Sequence, residues 1–171
     1  MDCINCFCNK KDPILFNDYF DNKIIKIKII DVYDGDTVTG IVPVLNGKFK
    51  FKCRLYGFDS PEKKPPLVNK DRDFEKYCAD IAKFALSEKV LLKTIKCKTY
   101  KLDKYGRLLI EPFDKRGNSI TDYMIENNCG YEYFGNTKQK IEYLKDGNFL
   151  IDNKQKEINR SIIYRYNQIK P

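Results

Sequence analysis

Four acidic residues fall in two short segments: Asp34 and Asp36 in Val32-Tyr33-Asp34-Gly35-Asp36-Thr37, and Asp59 and Glu62 in Asp59-Ser60-Pro61-Glu62. Carboxylates brought together repel one another unless a cation or basic groups intervene, and an all-oxygen set suits Ca²⁺ or Mg²⁺. Either segment alone is explained as well by turn formation, since Asp-Gly and Asp-Ser-Pro are turn sequences. The spacing is not that of an EF-hand loop, because Asp34-x-Asp36 runs on into Val38 and Thr39 without the loop glycine or the closing glutamate. Two arginines accompany the acids: Arg54, just before Asp59, and Arg107, after Lys104-Tyr105-Gly106. The guanidinium fork matches phosphate oxygens and stabilises charge developing on a phosphoryl group. One arginine on a strand reads as a surface ion pair; two beside a carboxylate nest point to phosphate chemistry.

The chain contains no histidine. That excludes imidazole as general acid or base, Ser-His-Asp and Cys-His triads, and zinc catalysis through His ligands. Hydrolytic chemistry must then run on carboxylates, Arg, Lys, Tyr, Cys or a metal. A formal net charge of +8 favours an anionic partner, nucleic acid being the commonest, although a lysine-rich solvated surface has the same charge. With 171 residues, 42% hydrophobic and 33% charged, the chain has room for one packed domain plus short extensions.

For the acidic segments to converge, they must sit at one end of a sheet. Ile25, Ile27 and Ile29 alternate with Lys26 and Lys28 as in a half-buried strand, and Asp34-Gly35-Asp36 turns the chain into a second strand from Val38 to Val44. Asn46-Gly47 is a hairpin turn. The third strand sets Phe49, Phe51, Cys53 and Leu55 against Lys48, Lys50, Lys52 and Arg54, which places Arg54 on the outer, basic face. In such a meander the first and third strands end together, so Asp36, Asp59 and Glu62 meet. A Pro- and Lys-rich loop leads to a helix from near Asp73, with Phe74, Tyr77, Cys78, Ile81 and Ala85 as its buried stripe. A strand over about 89–98, another after Arg107, and a helix capped by Ser119-x-x-Asp122 and running to about Asn127 follow. A third helix over 137–145 and a helical tail with Ile151, Ile158, Ile162 and Tyr166 on one face complete the pattern. The expected fold class is α+β: a five-stranded OB-type β-barrel, about three packed helices and a C-terminal helical tail. Residues 1–22 read as a Cys-containing extension, 23–145 as the barrel domain and 146–171 as the tail.

Of the seven cysteines, Cys53, Cys78, Cys97 and Cys129 lie in apolar stretches and read as reduced core residues. Cys3, Cys6 and Cys8 can offer a soft metal three thiolates, one short of a structural zinc set, and otherwise are incidental thiols of a tail. The N-terminal residues lack the apolar stretch of a secretory signal and no run is long enough to cross a membrane, so the expectation is an intracellular, cytoplasmic protein with no membrane partner.

Val32-Tyr33-Asp34-Gly35-Asp36-Thr37-Val38, then Arg54-Leu55-Tyr56-Gly57-Phe58-Asp59-Ser60-Pro61-Glu62, then Asp103-Lys104-Tyr105-Gly106-Arg107-Leu108 resemble, in this order and spacing, the staphylococcal nuclease (thermonuclease) family, over residues 23 to 145. The resemblance implies an OB-fold nuclease that uses Ca²⁺ and cleaves DNA and RNA to 3′-phosphate products. It further implies Asp36, Asp59 and the Ser60 carbonyl as calcium ligands, with Asp34 in the outer shell, and Glu62 as the general base. Arg54 and Arg107 match the catalytic arginines, and Lys104 and Tyr105 the groups that touch a terminal phosphate. Tyr131 and Tyr133, in Gly130-Tyr131-Glu132-Tyr133, resemble the tyrosines of the nucleotide pocket. The sequence after Asp146 and the absence of Trp depart from the family pattern.

Two functions from different classes remain open at the level of sequence. One is a calcium-dependent nuclease of low sequence specificity that prefers single strands. The other is a catalytically silent module that keeps the barrel and binds nucleic acid or a protein. The complete set Asp36, Asp59, Glu62, Arg54 and Arg107 favours the enzyme. Oligomeric state is left open.

Overall fold

Alternating Ile and Lys produce the first strand, β1 (Lys23–Val32), in which Ile27 and Ile29 are buried while Lys26 and Lys28 are exposed. The computed structural model describes residues 16–135, 137–139, 141–144, 147–151 and 154–170. Cys3, Cys6 and Cys8 lie outside the described residues. β1 turns at Asp34-Gly35-Asp36 into β2 (Thr37–Val44), which pairs with β3 (Gly47–Leu55) in a register that sets Thr37 opposite Arg54. After β4 (Phe58–Asp59) and a long loop, helix α2 (Arg72–Val90) crosses the barrel, and β5 (Thr94–Leu102) and β6 (Leu108–Phe113) complete it. The strand order β1-β2-β3-β6-β5 closes on itself, all neighbours antiparallel except β3 and β6, which run parallel. This is the expected α+β, OB-type barrel.

Val38, Val42, Cys53, Leu55, Leu108 and Ile110 fill its interior. Helix α2 applies Cys78, Ile81, Ala82, Ala85 and Leu86 to it, whereas Phe74, expected in the same stripe, is 37% exposed. The alternation in β3 is also incomplete: Cys53 and Leu55 are buried but Phe49 is 55% exposed, although Val42 opposite it on β2 is buried. The stretch expected as strand from Lys89 is helical to Val90, and β5 begins only at Thr94 after Leu92 adopts φ +58°. Helix α3 (Ile120–Glu126) starts as expected, with the Ser119 hydroxyl accepting from the Asp122 N–H at 3.2 Å.

The C-terminal part corrects two expectations. Ile141–Tyr143, inside the segment expected as a helix over 137–145, is a strand (β8). It pairs with β9 (Asn148–Ile151), which pairs with β10 (Lys154–Glu157), and only then does helix α4 (Arg160–Ile169) form. The burial of Tyr143, Phe149 and Ile151 follows period two, so the apolar spacing there belongs to strands. Ile158 and Ile162 are buried in the same core as the barrel helices, and Tyr166 packs near Tyr77 and Phe84 with ring centroids at 6.0 and 5.9 Å. At the other end, α1 (Phe16–Tyr19) and buried Phe20 close the barrel, the Phe20 carbonyl accepting from the Thr99 hydroxyl at 2.6 Å. Strand β7 (Tyr131–Glu132) pairs with β4 and brings the segment after α3 beside Asp59. Among the described residues no helix is long and apolar enough to cross a membrane.

Candidate active site

The β1–β2 turn is built by Asp34, whose Oδ1 accepts from the N–H groups of Asp36 at 3.1 Å and Thr37 at 2.8 Å. This bonding fixes the turn and aims Asp36 inward. Gly35 must be glycine: an added Cβ would lie 2.7 Å from both the Ala82 and Ser60 Cβ atoms, so the turn presses between α2 and the loop after β4. The contact puts Asp36 and Ser60, distant in sequence, against one another's supports.

Arg54 leaves β3 on the side opposite Cys53 and Leu55, as alternation requires, but it is not on an open basic face. Its side chain is 14% exposed, with Nη1 2.6 Å from Asp36 Oδ2 and Nη2 2.5 Å from Asp59 Oδ1. Nη2 also donates to the Phe58 carbonyl at 3.1 Å. The guanidinium is covered here by the groups that hold it, Asp36 of the β1–β2 turn and Phe58 and Asp59 of β4. Burial opposes the guanidinium's charge, but Asp36 and Asp59 outweigh it and raise its pKa. Burial pushes the Asp36 carboxyl up to about 7, with Asp34 and Asp59 adding to the shift, while Arg54 and the Thr37 hydroxyl draw it down. The Thr37 hydroxyl donates to Asp36 Oδ1 at 2.7 Å.

Asp59 is 3% exposed and also bonded on both oxygens, Oδ2 accepting from the Tyr131 hydroxyl at 2.8 Å and lying 3.1 Å from Lys138 Nζ. Lys138 Nζ lies 3.0 Å from Glu62 Oε1. Burial works against the ammonium, but Glu62 and Asp59 overcome it and raise its pKa. Glu62 is otherwise half-open, 55% exposed at its side chain, and its backbone N–H donates to Glu75 Oε1 at 3.1 Å.

Arg107 approaches from the β5–β6 turn. Asp103 Oδ1 accepts from the N–H groups of Tyr105 and Arg107, each at 2.9 Å, and Asp103 Oδ2 accepts from Arg107 Nε at 2.7 Å. Thus braced, Arg107 Nη1 reaches Thr37 Oγ1 at 3.4 Å. Tyr105 is 72% exposed, with the Arg107 and Lys104 cationic groups 5.4 and 5.1 Å from its ring centroid.

These groups line one cavity of about 810 Å³, which holds Asp36, Arg54, Ser60, Glu62 and Arg107, with Lys104, Tyr105 and Tyr133 in its wall. Asp59 lies beneath Arg54 and Lys138, and Tyr131 is 7% exposed beneath Asp59, so its ring is turned to the core and its hydroxyl to the carboxylate. Three further wall residues carried no expected role: Tyr56, inside the Arg54–Glu62 motif, and Phe134 and Lys138, outside every motif. Phe134 is 62% exposed, rests on Gly57 (φ +74°), where a Cβ would meet its ring at 2.8 Å, and meets Tyr56 edge-on at 5.7 Å. Tyr56 stacks on Tyr100 at 4.1 Å.

The donor chemistry fits a hard dication: two buried carboxylates and the buried Ser60, all oxygen, with protein cations standing where positive charge is required. As folded, the oxygens of Asp36 and Asp59 are engaged by Arg54, Lys138, Thr37 and Tyr131, and among the described residues no three acidic or thiol side chains gather closely enough to enclose a metal. Cys53, Cys78, Cys97 and Cys129 are buried free thiols whose pKa burial raises, which makes them packing residues.

No family model matches the chain. Two curated proteins, from Escherichia coli O157:H7 and Escherichia coli, each described as an "Uncharacterized endonuclease", are 24% identical to it over 106 residues. The match takes in 62% of this chain and 60% of the length of those relatives.

Proposed function

We propose that this protein is a nuclease hydrolysing phosphodiester bonds of DNA or RNA with little sequence specificity, dependent on calcium and leaving 3′-phosphate ends. The observation that carries the reading is the single cavity in which Arg54 and Arg107 face Asp36, Ser60 and Glu62. The relatives described as endonucleases support the same class.

In this reading Glu62, the most open carboxylate of the set, accepts the proton of an attacking water. Arg107, held at its Nε by Asp103, lines the cavity and is placed to offer its guanidinium to a phosphate oxygen. Arg54 balances the buried acids and adds positive potential beneath the phosphate; loss of either arginine's transition-state contact costs on the order of 3 kcal/mol. Asp36, Asp59 and the Ser60 carbonyl are the groups that would hold calcium, which when bound supplies charge neutralisation at a phosphate oxygen. Lys104 and Tyr105 sit where a flanking phosphate passes, and Tyr133, Phe134 and Tyr56 offer ring faces to unpaired bases.

A second reading is favoured by one observation. Asp36 and Asp59 are already satisfied by Arg54, Thr37, Tyr131 and Lys138, as in a binding module that keeps the acids as structure. Incubation with heat-denatured DNA and with RNA in calcium, magnesium or chelator, beside a Glu62→Gln plus Arg107→Gly control, separates the two. Calcium-dependent cleavage lost in the control supports the enzyme. Intact substrate with salt-sensitive binding supports the module.

A further inference from the structure

Lys138 belongs to no motif, yet its ammonium is shared between Asp59 Oδ2 at 3.1 Å and Glu62 Oε1 at 3.0 Å. We propose that Lys138 is the site's resident cation: it ties Asp59 to Glu62, and a divalent cation binds only by displacing it, which frees Glu62 in the same event. The inference rests on Asp59 being a cation ligand.

The Asp59 side chain is 4% exposed, so protein groups rather than water balance its charge. Arg54, on Oδ1, projects from a central barrel strand and is 14% exposed; Tyr131, on Oδ2, is buried. Both are held largely out of solvent. Lys138 comes from a segment outside the regular elements, and its side chain is 50% exposed. Of the three groups on Asp59, it is by far the most exposed. An ammonium is a compact, strongly hydrated point charge on a flexible stem, and half-exposed ion pairs are weak. A dication on Asp59 meets a positive neighbour at hydrogen-bond distance from its own ligand, and the weakest-held cation yields.

Two consequences follow. Lys138 lowers the affinity of the site for calcium, and calcium occupancy is coupled to the release of Glu62. Lys138 is thus a positioning residue that keeps the acids paired while the cation is away. Without a neutralising partner, Asp59 and Glu62 would repel across the cavity.

The test is calcium titration calorimetry on the full chain, comparing wild type, Lys138→Met and Asp59→Asn, with melting curves for each. Lys138→Gln replaces the Met variant should that one fail to fold. Loss of the ammonium should tighten calcium binding about tenfold, and Asp59→Asn should abolish it. In the wild type, acylation of Lys138 by an amine reagent, read by mass spectrometry, should speed up when calcium is added. Unchanged or weaker calcium binding in Lys138→Met, with Asp59→Asn still abolishing it, overturns the inference and spares the site. Lys138 reactivity indifferent to saturating calcium overturns it too. Calcium binding that Asp59→Asn leaves intact removes the site reading itself, and the inference with it.

Discussion

Asp103 accepts from Arg107 twice, from its backbone N–H at 2.9 Å and its Nε at 2.7 Å, so one carboxylate fixes both the turn and the direction of the arginine. Burial pushes the Asp103 carboxyl up, but the bonds from Arg107 and Tyr105 outweigh it and hold its pKa below the ordinary value. A carboxylate depressed by folding adds stability above its unfolded pKa, and that stability is lost as pH falls through the folded value. The turn should therefore hold at neutral pH and loosen only below about pH 4. In Asp103→Asn the acid sensitivity of the melting temperature should flatten. Removing a charge-assisted bond should destabilise by about 1–3 kcal/mol, and kcat should fall more than KM rises. An unchanged acid limb in the variant would show that the carboxylate does not brace Arg107.

Arg54 is the sole described group seen to bridge Asp36 and Asp59. Arg54→Gln leaves two buried carboxylates without their shared cation, which should cost about 3–5 kcal/mol. Arg54→Lys keeps the charge but loses the fork that spans both acids. The lysine variant should melt closer to wild type than the glutamine variant, yet cleave roughly a hundredfold more slowly. Equal melting of the two variants would mean that the charge of Arg54 contributes little.

Phe134 exposes its ring in the cavity wall on a support made by Gly57 and Tyr56. Stacking one base on such a ring is worth about 1–3 kcal/mol. Phe134→Ala should raise KM for a single-stranded oligonucleotide roughly tenfold with little change in kcat, and should matter less for an abasic substrate. A fall in kcat at constant KM would assign the ring a different role.

On the outer face of the barrel, Lys26 lies directly across from Lys96, and Lys28, Lys50 and Lys52 extend the positive surface toward the cavity. Like charges placed opposite each other destabilise a sheet, so the arrangement favours an anionic strand lying over it. Replacing Lys26, Lys50 and Lys96 by Gln should reduce the salt slope of single-strand binding by about 0.7 for each phosphate contact removed. Cleavage of a dinucleotide, too short to reach these residues, should be unaffected. An unaltered slope would place the bound strand elsewhere.

The sequence by itself determined what depends on near neighbours. Period-two alternation in β1, Asp34-Gly35-Asp36 as a turn and Ser119 as a helix cap were legible because each depends on residues a few positions apart, and the meeting of Asp36 and Asp59 followed from the meander that such local signals lay out. The absence of His and the pairing of acids with two arginines narrowed the chemistry before any fold was known. Tertiary structure alone decided the rest. Arg54 alternates outward as its position requires, but Asp36 of the β1–β2 turn and Asp59 of β4 close over it, and an ion pair formed between elements leaves no local mark. Tyr131 sits under Asp59 rather than in an open pocket because β7 pairs with β4. Ile141–Tyr143 is strand because β9 lies beside it and buries one of its faces, a contact that a three-residue run cannot announce. Lys138 reads in the sequence as one lysine among many; its place between Asp59 and Glu62 exists only because closure of the chain brings together residues 76 positions apart.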